Sequence, residues 1–101
     1  MELTGKCKED FYNWAKDKGI IENWKPKQYS LNVAYAMIYG VYVDFFDSVG
    51  LNILTYTPDS FLYYTNILSE GRYLINVGGY RTRQESIEKA IIKANEIYNE
   101  K

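Results

Sequence analysis

The sequence predicts an α+β fold in the order α-α-β-β-β-α, on three observations. Apolar residues recur at helical spacing near both ends of the chain. Between residues 51 and 77 lie three β-branched and aromatic runs separated by short turns, the pattern of an antiparallel meander. The length of 101 residues, 47% hydrophobic and 25% charged, suits one ordinary globular core. The expected organisation is a single domain over 1–101: two N-terminal helices, a three-stranded sheet, and a C-terminal helix packed on it.

The first helix is expected from Gly5 to Lys18. Thr4 is placed as its N-cap, Glu9 and Asp10 sit early, and Lys16 and Lys18 sit late, where the dipole favours cations. Gly19 offers the left-handed residue that ends helices. Cys7, Phe11, Trp14 and Ala15 form the buried stripe. Ile20 to Gln28, with Trp24 and Lys25-Pro26-Lys27, reads as a connection. Leu31 to Val49 reads as the central helix. At about 100° per residue, Ala34, Ile38, Val41, Phe45 and Val49 share a narrow arc, widened by Tyr35, Tyr42 and Phe46. Ala36, Gly40, Asp44 and Asp47 lie opposite, and Gly50 ends the helix. The composition of Tyr39 to Val43 also admits a strand; the length of the periodic segment favours the helix.

Strands are expected over Leu51–Thr57, Phe61–Leu68 and Arg72–Val77. Pro58-Asp59-Ser60 and Ser69-Glu70-Gly71 separate them, and Gly78-Gly79 stops the last. Thr82-Arg83-Gln84-Glu85 is a capping box that starts the final helix. Ile87, Ala90, Ile91, Ala94, Ile97 and Tyr98 then form an apolar face, leaving Glu88, Lys89, Lys93, Glu96 and Glu100 for water.

Three segments carry a resemblance: Tyr39-Gly-Val-Tyr-Val-Asp-Phe-Phe-Asp-Ser-Val-Gly50, Tyr80-Arg-Thr-Arg-Gln-Glu-Ser-Ile-Glu-Lys-Ala90, and Lys93-Ala-Asn-Glu-Ile-Tyr-Asn99. They resemble small proteins of phages and prophages in Bacteroidetes, a family with no assigned activity. The matching segments cover about a third of the chain, at the central and final helices. The resemblance implies a phage or mobile-element origin and a shared fold organisation, and no residue role follows from it. The α-β-β-β-α tail is also similar in topology to double-stranded RNA-binding domains. Where that family sets a lysine cluster, this chain has Gln84, Glu85, Ile87 and Glu88, with only Lys89 basic.

Composition narrows the chemistry. No histidine occurs, which removes histidine bases and histidine metal ligands. Cys7 is the one cysteine, so no internal disulfide forms, and with no histidine to activate it the residue reads as a buried structural thiol. A charged N-terminus and a longest charge-free apolar run of only Val33 to Val43 point to the cytoplasm, here that of a host cell, and to no membrane partner. No catalytic residue, metal or cofactor is expected.

The net charge of −1 is unevenly spread: residues 1–28 carry +1, residues 29–71 carry −4 with no Lys or Arg, and residues 72–101 carry +2. A general nucleic-acid binder needs a strong positive excess, which is missing. Arg72, Arg81 and Arg83, with Gly78-Gly79 allowing close backbone approach, outline an anion-binding site at the start of the last helix. The alternative is that Glu85 pairs with Arg81 across one helical turn. Asp44 and Asp47, three apart on one helical face, read as a solvated or partner-facing surface, since no further ligands accompany them for a metal or acid–base pair.

Tyrosine is the compositional outlier. Eleven Tyr, four Phe and two Trp are too many rings for so small a core, so several belong at the surface. Tyr63 and Tyr64, adjacent in one strand, must point to opposite faces of the sheet. Tyr63, Tyr64, Asp44 and Asp47 are therefore the interface candidates. The expected function is a non-catalytic phage accessory protein that binds a protein partner, such as a host defence component that it inhibits, or assembles with itself as a homodimer. The alternative is nucleotide or nucleic-acid binding through the arginines.

Overall fold

The computed structural model describes residues 3–20, 31–59 and 61–100, with 31–36 described as backbone. The expected order holds: α1 Gly5–Asp17, α2 Leu31–Ser48, β1 Leu51–Tyr56, β2 Tyr63–Ser69, β3 Arg72–Tyr80 and α3 Arg83–Asn99. The connection containing Trp24 lies outside the described residues. The strands form an antiparallel meander in the order β1-β2-β3. The final helix lies across all three strands, α2 packs against β1, and α1 rests on the two other helices. The domain is thus two layers, helices on one side of the sheet.

Helical spacing places the core between these layers. Phe45 and Phe46 of α2, Leu51 and Ile53 of β1, Ile67 of β2, and Ala90, Ile91 and Ala94 of α3 are buried together with Cys7 of α1. The Phe45 ring is the hub: its centroid lies 5.5 Å from Phe11, 5.7 Å from Trp14 and 5.9 Å from Tyr98, the first two edge-on. The small residues Ala90 and Ala94 let α3 settle close to the sheet.

Four local expectations are corrected. The core stripe of α2 keeps Ile38, Tyr42, Phe45, Phe46 and Val49 of the expected arc, adds Tyr39 and Val43, and leaves Val41 out of the core; α2 must face both β1 and α3. The second strand begins at Tyr63, because Asp59 folds its carboxylate back onto the amides of Phe61 and Leu62 and holds them in a turn. Gly78-Gly79 does not stop the third strand. Gly79, with φ +86°, is a bulge that carries the strand on to Tyr80, skipping one place between the pairs Tyr63–Tyr80 and Tyr64–Gly78.

The fourth correction concerns the start of α1. Thr4 occupies the N-cap position, yet its side chain makes no cap bond. Its hydroxyl instead accepts from the Asn95 amide at 2.9 Å, and the Cys7 N–H donates to Asn99 Oδ1 at 2.8 Å. The last turn of α3 therefore caps the first turn of α1. Gly5 makes room for this: its φ is +59°, and a Cβ there would meet Asn99 Oδ1 at 3.2 Å. At the other end Gly19 closes α1 as expected, with Gly19 N–H on the Lys16 carbonyl and Ile20 N–H on that of Ala15. The capping bond of α3 is also present, from Glu85 N–H to Thr82 Oγ1 at 3.1 Å.

Candidate functional site: the open face of the sheet

Strand register sorts the side chains into two faces. Leu51, Ile53 and Thr55 pair across to Ser69, Ile67 and Thr65, and these rows meet the helices. Within them, Thr65 Oγ1 and Ser86 Oγ lie 2.7 Å apart and fully buried, with Thr55 Oγ1 3.0 Å from Thr65. This hydroxyl chain fastens α3 to the strands without leaving a buried polar atom unmet.

The alternate residues face the other way: Asn52, Leu54 and Tyr56 on β1, then Leu68, Asn66 and Tyr64 on β2. On β3 the pairing continues to Tyr73, Asn76 and Gly78. Ile75 pairs with inward Ile67 and Tyr73 with outward Leu68, so the bulge between them leaves Tyr73 and Leu74 side by side on the outer face. No helix packs on this face among the described residues. Leu54 is 57% exposed and Tyr73 61%, with Tyr56 and Leu74 also in water.

The face is ordered. The rings of Tyr56 and Tyr64 stack with centroids 5.7 Å apart, and Tyr64 lies over Gly78, where any Cβ would run into its ring. Asn76 Nδ2 donates to Asn66 Oδ1 at 2.7 Å and to the Tyr56 hydroxyl at 2.8 Å. Every one of these rows is uncharged.

The sequence candidates distribute unevenly over this frame. Tyr63 and Tyr64 do part to opposite faces: Tyr64 joins the open face, while Tyr63 lies beside the start of α3 with the Arg83 guanidinium 5.2 Å from its ring centre. The three arginines do not converge. Arg72 pairs with Ser69 at one end of β3, and eight residue steps of about 3.3 Å put it roughly 25 Å from Tyr80, next to Arg81. The three-arginine anion site is therefore not formed. Arg81 and Arg83 are exposed, and Arg81 makes no ion pair with Glu85 among the described residues. Gly78 lies beneath the Tyr64 ring and Gly79 forms the bulge, so the pair serves the strand in place of the expected phosphate approach.

Asp44 and Asp47 are exposed on α2 and part company. Asp47 accepts from Asn52 Nδ2 at 3.0 Å, tying α2 to β1. Asp44 borders a groove of about 360 Å³ floored by Tyr39, Val43 and Ile87 and bordered across the way by Arg83 and Gln84. Opposite charges on the two rims make it unsuited to a purely anionic ligand. A second groove of about 460 Å³ runs along α1 past Leu3, Lys8, Phe11, Tyr12 and Tyr42. Among the described residues, no group of three or more Asp, Glu or Cys side chains gathers to hold a metal ion, and no helix is long and apolar enough to cross a membrane.

Asp59 is held below the usual carboxylate range by the amides of Phe61 and Leu62 in its turn, and the other shifted groups lie where α1 meets α3, away from the open face. Asp10 accepts from Lys6 Nζ at 2.7 Å and from the Tyr98 hydroxyl, and these bonds hold its carboxyl below the usual range. Burial, followed by the bond to Asp10, pushes the Tyr98 hydroxyl up to about 12. Burial likewise pushes the Cys7 thiol up to about 11, so it stays protonated and unreactive at neutral pH. This cluster is a structural clasp between two helices. Sequence reasoning missed Asn95, Asn99 and Ser86, although Asn95 stands one turn beyond Ile91 on the apolar face of α3, a visible sign that it has a buried partner.

No family model matches the chain, and no curated protein or solved structure is similar to it.

Proposed function

We propose that this chain is a non-catalytic binding protein whose open sheet face docks a protein. The observation that supports it is a contiguous outer surface with large apolar side chains in water and no charge in any of its rows. Monomeric proteins seldom keep such a patch unless it is used, and tyrosine with scattered amides matches the chemistry of protein interfaces. Phosphate recognition would need cations at this surface, and its paired rows carry no Lys or Arg. The resemblance to phage proteins supports the further reading of an accessory protein acting in the host cytoplasm, with a host protein such as a defence component as its target.

The test uses the tagged chain as bait in a host lysate that also contains untagged copies, beside a Leu54→Asp/Tyr73→Asp variant. The proposal expects captured protein that the variant loses. Identical capture by both baits would remove the face from consideration. For the arginine alternative, a nucleotide or oligonucleotide that binds equally well after Arg81→Glu/Arg83→Glu rules out that site.

A further inference from the structure

We infer that the occupant of the open face is a second copy of this chain, docked face to face across a two-fold axis. The inference rests on the docking role just proposed and adds the identity of the partner. Three properties of the surface carry it.

The first is electrostatic. A surface that meets its own copy brings every charge against a like charge or its neighbours, and the outer rows avoid the problem by carrying no charge at all. A chain with 25% charged residues keeps them out of these rows, although residues 44–71 nearby include four acids, of which Asp47 meets only the edge residue Asn52. A basic host protein would be better met by acids within the face, and a nucleic acid by lysines. Neither is there.

The second is hydrogen-bond self-complementarity. Asn76 spends its amide hydrogens on Asn66 and Tyr56, which leaves the Asn76 carbonyl oxygen and the Asn66 amide hydrogens without protein partners among the described residues. One is an acceptor and the other a donor, in the central row of the same face. A two-fold axis brings each against its complement on the other copy, so both polar groups can be satisfied on burial.

The third is size. Strands about 4.8 Å apart and about 20 Å long, with their side chains, offer on the order of 500 Å² of accessible surface, and a pair removes on the order of 1,000 Å². That lies at the threshold for a specific interface, so the expected pair is reversible, with a dissociation constant on the order of micromolar. The product is a six-stranded sandwich, its sheets about 10 Å apart, with helices outside.

Sedimentation velocity from 1 to about 500 µM decides the matter. The expected result is a concentration-dependent dimer, weakened at least tenfold by Leu54→Asp or by Tyr73→Asp, each of which sets two carboxylates into the apolar contact. Unchanged thermal melting of the diluted variants shows that they fold, and amide resonances of the wild-type chain should shift on dilution in β1, β2 and β3. A monomer throughout, or a dimer insensitive to both variants, overturns the inference. So does salt-sensitive binding of a single-stranded oligonucleotide that Tyr64→Ala abolishes in a monomeric chain. A monomer whose captured lysate protein is still lost in the Leu54→Asp/Tyr73→Asp variant sinks the second copy and leaves the docking surface standing; capture indifferent to the variant sinks both.

Discussion

Ile53 and Leu54 are neighbours in β1, one 7% exposed and the other 57%. The same contrast runs across the whole sheet. On the helix side, apolar rows are covered by α3 and the polar atoms among them are matched, Thr65 to Ser86 and Thr55 to Thr65. On the outer side leucines and tyrosines stand among uncharged amides, yet nothing described covers them. Strand formation explains the alternation but not the chemistry: a sheet whose second face met only water would be expected to carry polar residues there. The difference separates residues that hold the fold from residues kept for contact, and substitutions on the two faces should behave differently.

The sharpest contrast pits Ile67→Ala against Leu54→Ala. Ile67 is fully buried, so its truncation should cost about 2–5 kcal/mol in chemical denaturation, enough to leave a small domain close to unfolding. A comparable loss from both positions would mean that the outer face is packed in the monomer after all.

A smaller effect sharpens the inner face. Thr65→Val strands the buried Ser86 hydroxyl and should cost about 1–3 kcal/mol, and adding Ser86→Ala should recover a good part of it. Strictly additive losses would show that the two hydroxyls do not depend on each other. Asn99→Ala tests the helix layer: removal of the acceptor for Cys7 N–H should cost about 0.5–2 kcal/mol, the usual range for a lost cap.

Stability against pH reports on the α1–α3 clasp. Tyr98 and Cys7 have folded-state values raised from 10.0 to about 12 and from 9.0 to about 11. The unfolded chain therefore ionises first, and the melting temperature should fall as pH rises from about 9 to 12, where the folded groups ionise too. Asp10 is shifted downward, so its contribution is present above the ordinary carboxylate range and fades in acid. Tyr98→Phe should flatten the alkaline limb; an unchanged profile would place the alkaline loss elsewhere. Smallest of all, Leu54→Ala should alter monomer stability by no more than about 0.5 kcal/mol, the usual size of a surface substitution.

Much of this was legible because it is local. Alternation alone separated Tyr63 from Tyr64, helical spacing placed Cys7 and Ala15 inside α1 and Ala90, Ile91 and Ala94 inside α3, and Thr82 announced the start of α3. What misled were features settled by distant partners. Thr4 looked like a cap, but Asn95 claims its hydroxyl and Asn99 does the capping, both some ninety residues away in sequence. Arg72 sat close to Arg81 in the sequence, while an extended strand holds them at opposite ends of the sheet. The Gly78-Gly79 pair read as a stop because glycine weakens strands; a bulge and an overlying tyrosine ring keep it in the ladder. The orientation of α2 depended on which elements would flank it, a matter no single helix encodes.

The cap donated by Asn99 also bears on how the molecule is made. A ribosome adding about 5–20 residues per second needs roughly 5–18 s to travel the 92 positions between Cys7 and Asn99. Until then α1, though synthesised before α3, has an unfinished first turn and only α2 of its two neighbouring helices to lie against. α1 is thus among the last parts to mature, and nascent chains halted before residue 95 should leave its first turn open to proteolysis.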